Sequence, residues 1–152
     1  MPDRVPSAAR RRMMQRIRTR NTGPEMELRR GLHGRGLRYR LHDASLPGTP
    51  DLIFPKWRVA LFVNGCFWHG HACSRFKVPK NNREFWVAKI ESNRTRDAVV
   101  LEKLVAQGWR VATVWECALT GRFSLGVGAV TDRFSDWILD GPSSTVEIRG
   151  SQ

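Results

Sequence analysis

Two stretches of the chain, residues 58–63 (RVALFV) and 109–115 (WRVATVW), are apolar at almost every position. A strand with one wet face alternates apolar and polar residues, so runs like these belong to strands buried on both faces near the centre of a sheet. Between them lies a segment with the marks of a long helix. Asn81 with Glu84 makes a capping box at its start, Val87, Ile90, Ala98, Leu101 and Val105 follow the 3.6-residue period, and Gly108 closes it. A strand reached through a helical crossover runs parallel to its neighbour. The chain is therefore expected to build a small mixed sheet flanked by helices, an α/β domain.

The remaining elements fit around that unit. Pro24 and Glu25 suit the first turn of a short helix that carries Leu28 and Leu32 and ends at Gly34 and Gly36. Residues 37–41 alternate apolar and basic like a half-buried strand, residues 43–50 are a loop with two Pro and a Gly, and Asp51-Leu-Ile-Phe pairs with 58–63 as a hairpin across a Pro55-Lys56 break. A last helix fits Val130, Phe134, Trp137 and Ile138, whereas residues 141–152 have no packing pattern and read as a flexible tail. The expected domains are thus a basic arm (1–22), a folded domain (23–140) and the tail. At 152 residues a single domain suffices, and 41% hydrophobic residues with six Trp and seven Phe exclude a disordered chain. No apolar run approaches the roughly 18 residues of a membrane span, and no apolar stretch follows the first charged residues, so neither a membrane nor a secretory signal is expected and the cytoplasm is the expected compartment.

The formal charge of +12 is unevenly placed: residues 1–40 hold 12 Arg against Asp3, Glu25 and Glu27, a net of +9 that leaves +3 for the rest. A basic arm of this kind neutralises phosphates and releases their counterions, which makes nucleic acid the first partner to consider. Met13, Met14 and Ile17 make a small apolar set at helical spacing in the arm, too little to pack a helix by itself.

Three cysteines, an odd number, argue against a disulfide framework. Cys66, His71 and Cys73 fall within eight residues and Cys117 follows the second buried strand. Three thiolates and an imidazole converging there would make a closed tetrahedral zinc site, structural because no position remains for water. The alternative is three small buried thiols. Asp51, where a proline-rich loop becomes a strand, is placed either to hold Mg²⁺, which takes oxygen ligands and keeps several waters, or simply to form a turn. The strand after it lacks the acidic residue and Lys of the usual Pro-Asp nucleases. His69, the histidine of the 66–73 loop that a tetrahedron does not need, is the candidate general base. His33 and His42 lack such context and are expected at the surface. Phe67 and Trp68 are either core packing or, beside a basic face, a wedge that unstacks base pairs, with Trp86 joining it and Met14 and Ile17 as a second wedge.

Taken together, Asp43-Ala-Ser-Leu-Pro-Gly-Thr-Pro-Asp51, Gly65-Cys-Phe-Trp-His69, His71 and Cys73, Phe76-Lys-Val-Pro79, Glu84-Phe-Trp86, Gly108-Trp-Arg-Val and Val114-Trp-Glu-Cys117 resemble the very short patch repair (Vsr) mismatch endonucleases over most of the chain. The resemblance implies a restriction-endonuclease-like fold, a structural zinc, and Mg²⁺-dependent nicking of duplex DNA 5′ to the T of a T:G mismatch left by deamination of 5-methylcytosine. It makes Asp51 the Mg²⁺ ligand together with the backbone carbonyl of Val63, His69 the general base, and Glu25 and Asp97 acidic residues that orient hydrated metal or the histidine. Cys66, His71, Cys73 and Cys117 become the zinc ligands. Met14, Ile17, Phe67, Trp68, Trp86, Lys89 and Asn93 become DNA contacts. A MutL-type mismatch-repair protein and a repair DNA polymerase follow as partners, with a monomer associated with the nucleoid when bound to DNA. The family commonly has a second histidine where this chain has Asn64, which can hydrogen-bond but cannot titrate. Two rival readings stand beside this one: a zinc-stabilised DNA-binding protein without catalysis, and a nicking enzyme of broader mismatch specificity.

Overall fold

A computed structural model of the chain describes residues 23–73 and 76–151. The two buried runs lie side by side as β3 (Val59–Asn64) and β4 (Arg110–Trp115), parallel, with Val59 opposite Arg110 and Asn64 opposite Trp115. The full order is α1 (Gly23–Gly34), β1 (Arg40–Leu41), β2 (Leu52–Phe54), a 3₁₀ turn (Pro55–Trp57), β3, α2 (Arg83–Ala106), β4, a short α3 (Glu116–Leu119), α4 (Val127–Asp140) and β5 (Thr145–Ile148). The described strands make one five-stranded sheet in the order β1-β2-β3-β4-β5, antiparallel up to β3 and parallel beyond it.

Strand periodicity divides the core between the two faces of this sheet. Leu52, Phe54, Val59, Leu61, Ala112 and Val114 point to one face and pack with Leu28 and Leu32 of α1 and with Val130, Phe134, Trp137 and Ile138 of α4. The intervening residues Ile53, Ala60 and Val111 point to the other face and meet Leu104 of α2. Phe54 and Phe134 are fully buried with ring centroids 5.1 Å apart. No described helix is long and apolar enough to cross a membrane.

The expected elements are present, with four differences. The strand expected over residues 37–41 forms only at Arg40–Leu41, because Leu37 leaves the sheet line to enter the core beside α1. The capping box does not form: Asn82 is the N-cap of α2 and sits at φ 57 with no side-chain cap bond. The stripe on α2 is mostly exposed, Val87, Leu101 and Val105 included, and only Ile90 and Leu104 are buried. Twenty-four residues make a helix about 36 Å long, whereas a six-residue strand runs about 20 Å, so much of α2 overruns the sheet.

The fourth difference is the segment after Gly141, expected to be a loose tail. It turns back and adds β5 to the edge of β4, pairing Val111 with Thr145 through Val114 with Ile148, and Ile148 joins the core. The turn is held by polar contacts. The Arg110 guanidinium donates to the carbonyls of Trp137 (2.8 Å), Ile138 (3.0 Å) and Gly141 (2.9 Å) at the end of α4, and Trp137 Nε1 donates to Ser143 Oγ at 3.0 Å.

Candidate active site and metal centre

Parallel pairing of β3 with β4 sets Asn64 beside Trp115, so the loop after β3 and the helix after β4 begin at the same edge of the sheet. Cys66, His71, Cys73 and Cys117 converge there, with their candidate ligand atoms all within 4.8 Å of one another. The loop is tied to itself by the amides of His69, Gly70, His71 and Cys73, which donate to the carbonyls of Gly65, Phe67, Cys66 and His71. Gly70 stands at φ +61, and a Cβ there would lie 2.6 Å from Ile90 of α2, so only glycine fits between the two histidines.

The cluster suits a soft divalent metal. Zinc bonds of roughly 2.0–2.3 Å in a tetrahedron put neighbouring ligand atoms some 3.5–3.8 Å apart, and Cys117 Sγ lies 3.6 Å from His71 Nδ1. Amides already point at the sulfurs: Cys117 N–H at Cys66 Sγ (3.4 Å) and Gly150 N–H at Cys117 Sγ (3.3 Å). Burial, reinforced by the neighbouring thiols, pushes the Cys66 thiol far up. Burial, and after it the charge of Arg149, holds the His71 imidazolium below its usual range and so favours the neutral ring a metal needs. The ring stacks on Trp115 at 4.0 Å and 6°, and Trp115 Nε1 donates to Glu147 Oε1 of β5 at 2.5 Å.

Beside this centre a cleft of about 220 Å³ opens between the end of β3 and α2, lined by Asp51, Val63, Asn64, His69, Asn93 and Asp97 among others. Asp51 immediately precedes β2, and its Oδ2 accepts the Val63 N–H at 2.7 Å. Across the cleft His69 Nδ1 lies 2.6 Å from Asp97 Oδ2. A carboxylate only accepts, so Nδ1 carries the hydrogen and the neutral ring keeps its lone pair on Nε2. That is the arrangement of a base held in one tautomer by an acidic partner.

On the outer side of the loop, Phe67, Trp68 and Trp86 form a mutual edge-to-face cluster with centroids 5.2–5.8 Å apart. Asn93 Nδ2 donates to the Trp68 carbonyl at 2.8 Å and so ties the loop to α2. Lys89 is exposed on the same helix.

A family model described as DNA mismatch endonuclease Vsr matches residues 2–75. The DNA mismatch endonuclease Vsr of Escherichia coli strain K12 is 44% identical over 151 residues, covering 99% of this chain and 97% of that protein. The chain belongs to the Vsr DNA mismatch endonuclease family. The type II nicking enzyme V.XorIIP of Xanthomonas oryzae pv. oryzae is 51% identical over 120 residues, 79% of this chain and 88% of its own. V.HpaIIP of Haemophilus parainfluenzae, also a type II nicking enzyme, is 38% identical over 112 residues, 73% and 79% of the two chains.

Within this Vsr-family chain the structure brings Asp51, Val63, His69 and Asp97 around one cleft, while Met14 and Ile17 lie outside the described residues. Glu25 is buried on α1 and ion-paired with Arg29 one turn on. Arg29 and His42 are the residues that sequence reasoning missed. His42, expected at the surface, is largely buried, with Nε2 3.2 Å from Arg29 Nη2 and Nδ1 3.8 Å from Asp51 Oδ1. Its place is dictated by pairing between strands, because its amide donates to the Asp51 carbonyl at 3.1 Å just past the Leu41–Leu52 pair. Phe85, exposed and edge-to-face on Trp86 at 5.1 Å, extends the aromatic cluster.

Proposed function

We propose that the cleft nicks one strand of duplex DNA 5′ to the T of a T:G mismatch, on a restriction-endonuclease-like domain, with His69 as general base, Mg²⁺ held by Asp51 and the Val63 carbonyl, and zinc in the Cys66–His71–Cys73–Cys117 centre. Membership of the Vsr family makes the chain a DNA mismatch endonuclease, a hydrolase. The observation that carries the finer reading is the 2.6 Å contact of His69 with Asp97 in the cleft that also holds Asp51. Asp51 suits a hard cation: one oxygen is fixed by the Val63 amide, and the cleft has room for the waters that Mg²⁺ keeps. The metal would neutralise charge on the scissile phosphate. His69 Nε2 takes a proton from the attacking water while Asp97 fixes the ring and balances the imidazolium charge. The products are a 5′-phosphate and a 3′-hydroxyl. Phe67, Trp68 and Trp86 are placed to enter the stack at the mismatch, where a wobble pair is less costly to open than a matched one. Asn64 lines the cleft and contributes hydrogen bonds but no proton. The chain acts as a monomer, and a MutL-type protein and a repair polymerase act on or after the nick.

Nicking should be strand-specific on a T:G duplex within a panel of all mispairs, and Asp51→Ala should abolish it while mismatch binding persists. Binding without any nicking would leave a DNA-binding protein, and equal cutting of other mispairs a broader enzyme. The arm supplies affinity: residues 1–22 hold seven Arg against Asp3. Deleting them should flatten the slope of log affinity against log salt, each lost phosphate contact removing about 0.9 from it. An unchanged slope would show that the arm does not touch DNA.

A further inference from the structure

We propose that Arg29 and His42 are positioning residues for Asp51, forming a relay that connects the buried carboxylate of Glu25 to the carboxylate at the cleft. The inference rests on the reading of Asp51 as an active-site acid and goes beyond it, since it assigns a task to two residues outside that reading. The resemblance gives Glu25 a place near the metal or the histidine. In the structure its carboxylate is engaged by Arg29 inside α1, and both side chains are buried, at 1% and 7% exposed. Arg29 is held further by Nη1 on Met26 Sδ at 3.1 Å, and the Tyr39 hydroxyl donates to its carbonyl at 3.3 Å. A buried ion pair is a weak source of stability, because desolvation offsets most of the attraction. What such a pair does provide is a guanidinium fixed in place.

That fixed guanidinium determines the tautomer of His42. Arginine has donors and no acceptor, so the Nε2 atom that Arg29 Nη2 approaches at 3.2 Å must offer a lone pair. The neutral ring then has its hydrogen on Nδ1, and Nδ1 is the atom that faces Asp51 Oδ1 at 3.8 Å. Tightening by several tenths of an ångström makes this a hydrogen bond. The Val63 amide already holds Asp51 Oδ2, and a hydrogen bond from His42 Nδ1 would hold Oδ1 as well; two such contacts define the plane of a carboxylate where one leaves it free to rotate. The backbone supports the same purpose. The His42 amide donates to the Asp51 carbonyl at 3.1 Å, and His42 itself is held at φ 46, a left-handed conformation uncommon outside glycine, though less so for Asn, Asp and His.

The test reads the relay apart from turnover. With zinc present and magnesium absent, long-range ¹H–¹⁵N spectra of the full chain should show His42 with a bare Nε2 and a protonated Nδ1 at neutral pH, assigned among the four histidines by its loss in His42→Asn. Arg29→Met should abolish that preference. Arg29→Lys, which keeps a charge opposite Glu25 but reaches less far, serves if the first variant does not fold. In nicking assays His42→Ala should lower kcat by about 10–100-fold, the usual cost of removing a partner of a metal-binding side chain, with KM for mismatched DNA unchanged. His42→Asn, which keeps a donor near the Nδ1 position and tolerates the left-handed backbone, should recover most of it. A protonated Nε2 in the unaltered protein, a wild-type kcat in folded His42→Ala, or an Asn variant as slow as the Ala variant overturns the relay. Wild-type nicking by Asp51→Ala would instead overturn the reading of the cleft, and the tautomer result would not depend on it.

Discussion

Replacing His69 by alanine should slow nicking by about 10²–10⁴-fold, the usual contribution of a general base, while zinc content and mismatch affinity remain those of the unaltered chain. The size follows from what the side chain does. Its Nδ1–H is engaged by Asp97 at 2.6 Å, so Nε2 is the only ring atom left to accept a proton, and no other imidazole lines the cleft among the described residues. At about 1.36 kcal/mol per tenfold, the loss corresponds to roughly 3–5 kcal/mol of transition-state stabilisation, well beyond what a rearranged water recovers. Asp97→Ala should give a smaller loss of kcat with KM unchanged, because the ring keeps its nitrogen and loses only its orientation. His71→Ala, two residues away, should give the opposite phenotype, losing zinc and stability. Zinc lost from the His69 variant together with nicking kept in the His71 variant would mean that the two histidines have each other's roles.

What could be read from the sequence is what a short local pattern encodes. The central strands were legible because burial on both faces removes polar residues from consecutive positions of residues 58–63 and 109–115. The Cys/His cluster that could hold a metal was legible because three of its members sit in one loop and the fourth follows a strand bound to be that loop's neighbour. Asp51, His69 and Asp97 were reached by resemblance and chemistry, and the fold brings them together. Other features depend on contacts that leave no periodic trace. Residues 145–148 alternate over too few positions to declare a strand, and β5 exists because the Arg110 guanidinium folds the chain back and β4 offers an open edge. The link of His42 to Asp51 comes from a two-residue strand whose register no pattern announces. Asn81 and Glu84 matched the composition of a capping box, yet α2 is capped one residue later by Asn82, whose left-handed backbone makes no side-chain cap bond.

Removal of the metal centre should have the largest effect on the folded state. Structural zinc sites of this ligand type contribute on the order of 10–16 kcal/mol of apparent binding free energy in peptides, whereas a domain of this size is stable by about 5–15 kcal/mol in total. Loss of one ligand therefore threatens the whole net stability, and Cys117→Ala should lose its zinc and fold poorly. The damage should also be directional. Cys117 Sγ receives the Gly150 amide at 3.3 Å, and the Cys117 amide donates to Cys66 Sγ at 3.4 Å, so one residue joins the loop after β3 to the end of β5. Trp115 adds a second link, stacked on His71 and bonded to Glu147. Amides of β5 should accordingly lose hydrogen-exchange protection at chelator concentrations that leave the β3–β4 ladder protected. Metal analysis, thermal melting and exchange measured on the same preparations check each step. Stoichiometric zinc retained by Cys117→Ala, or a melting temperature indifferent to chelator, would remove these four residues from the role assigned to them.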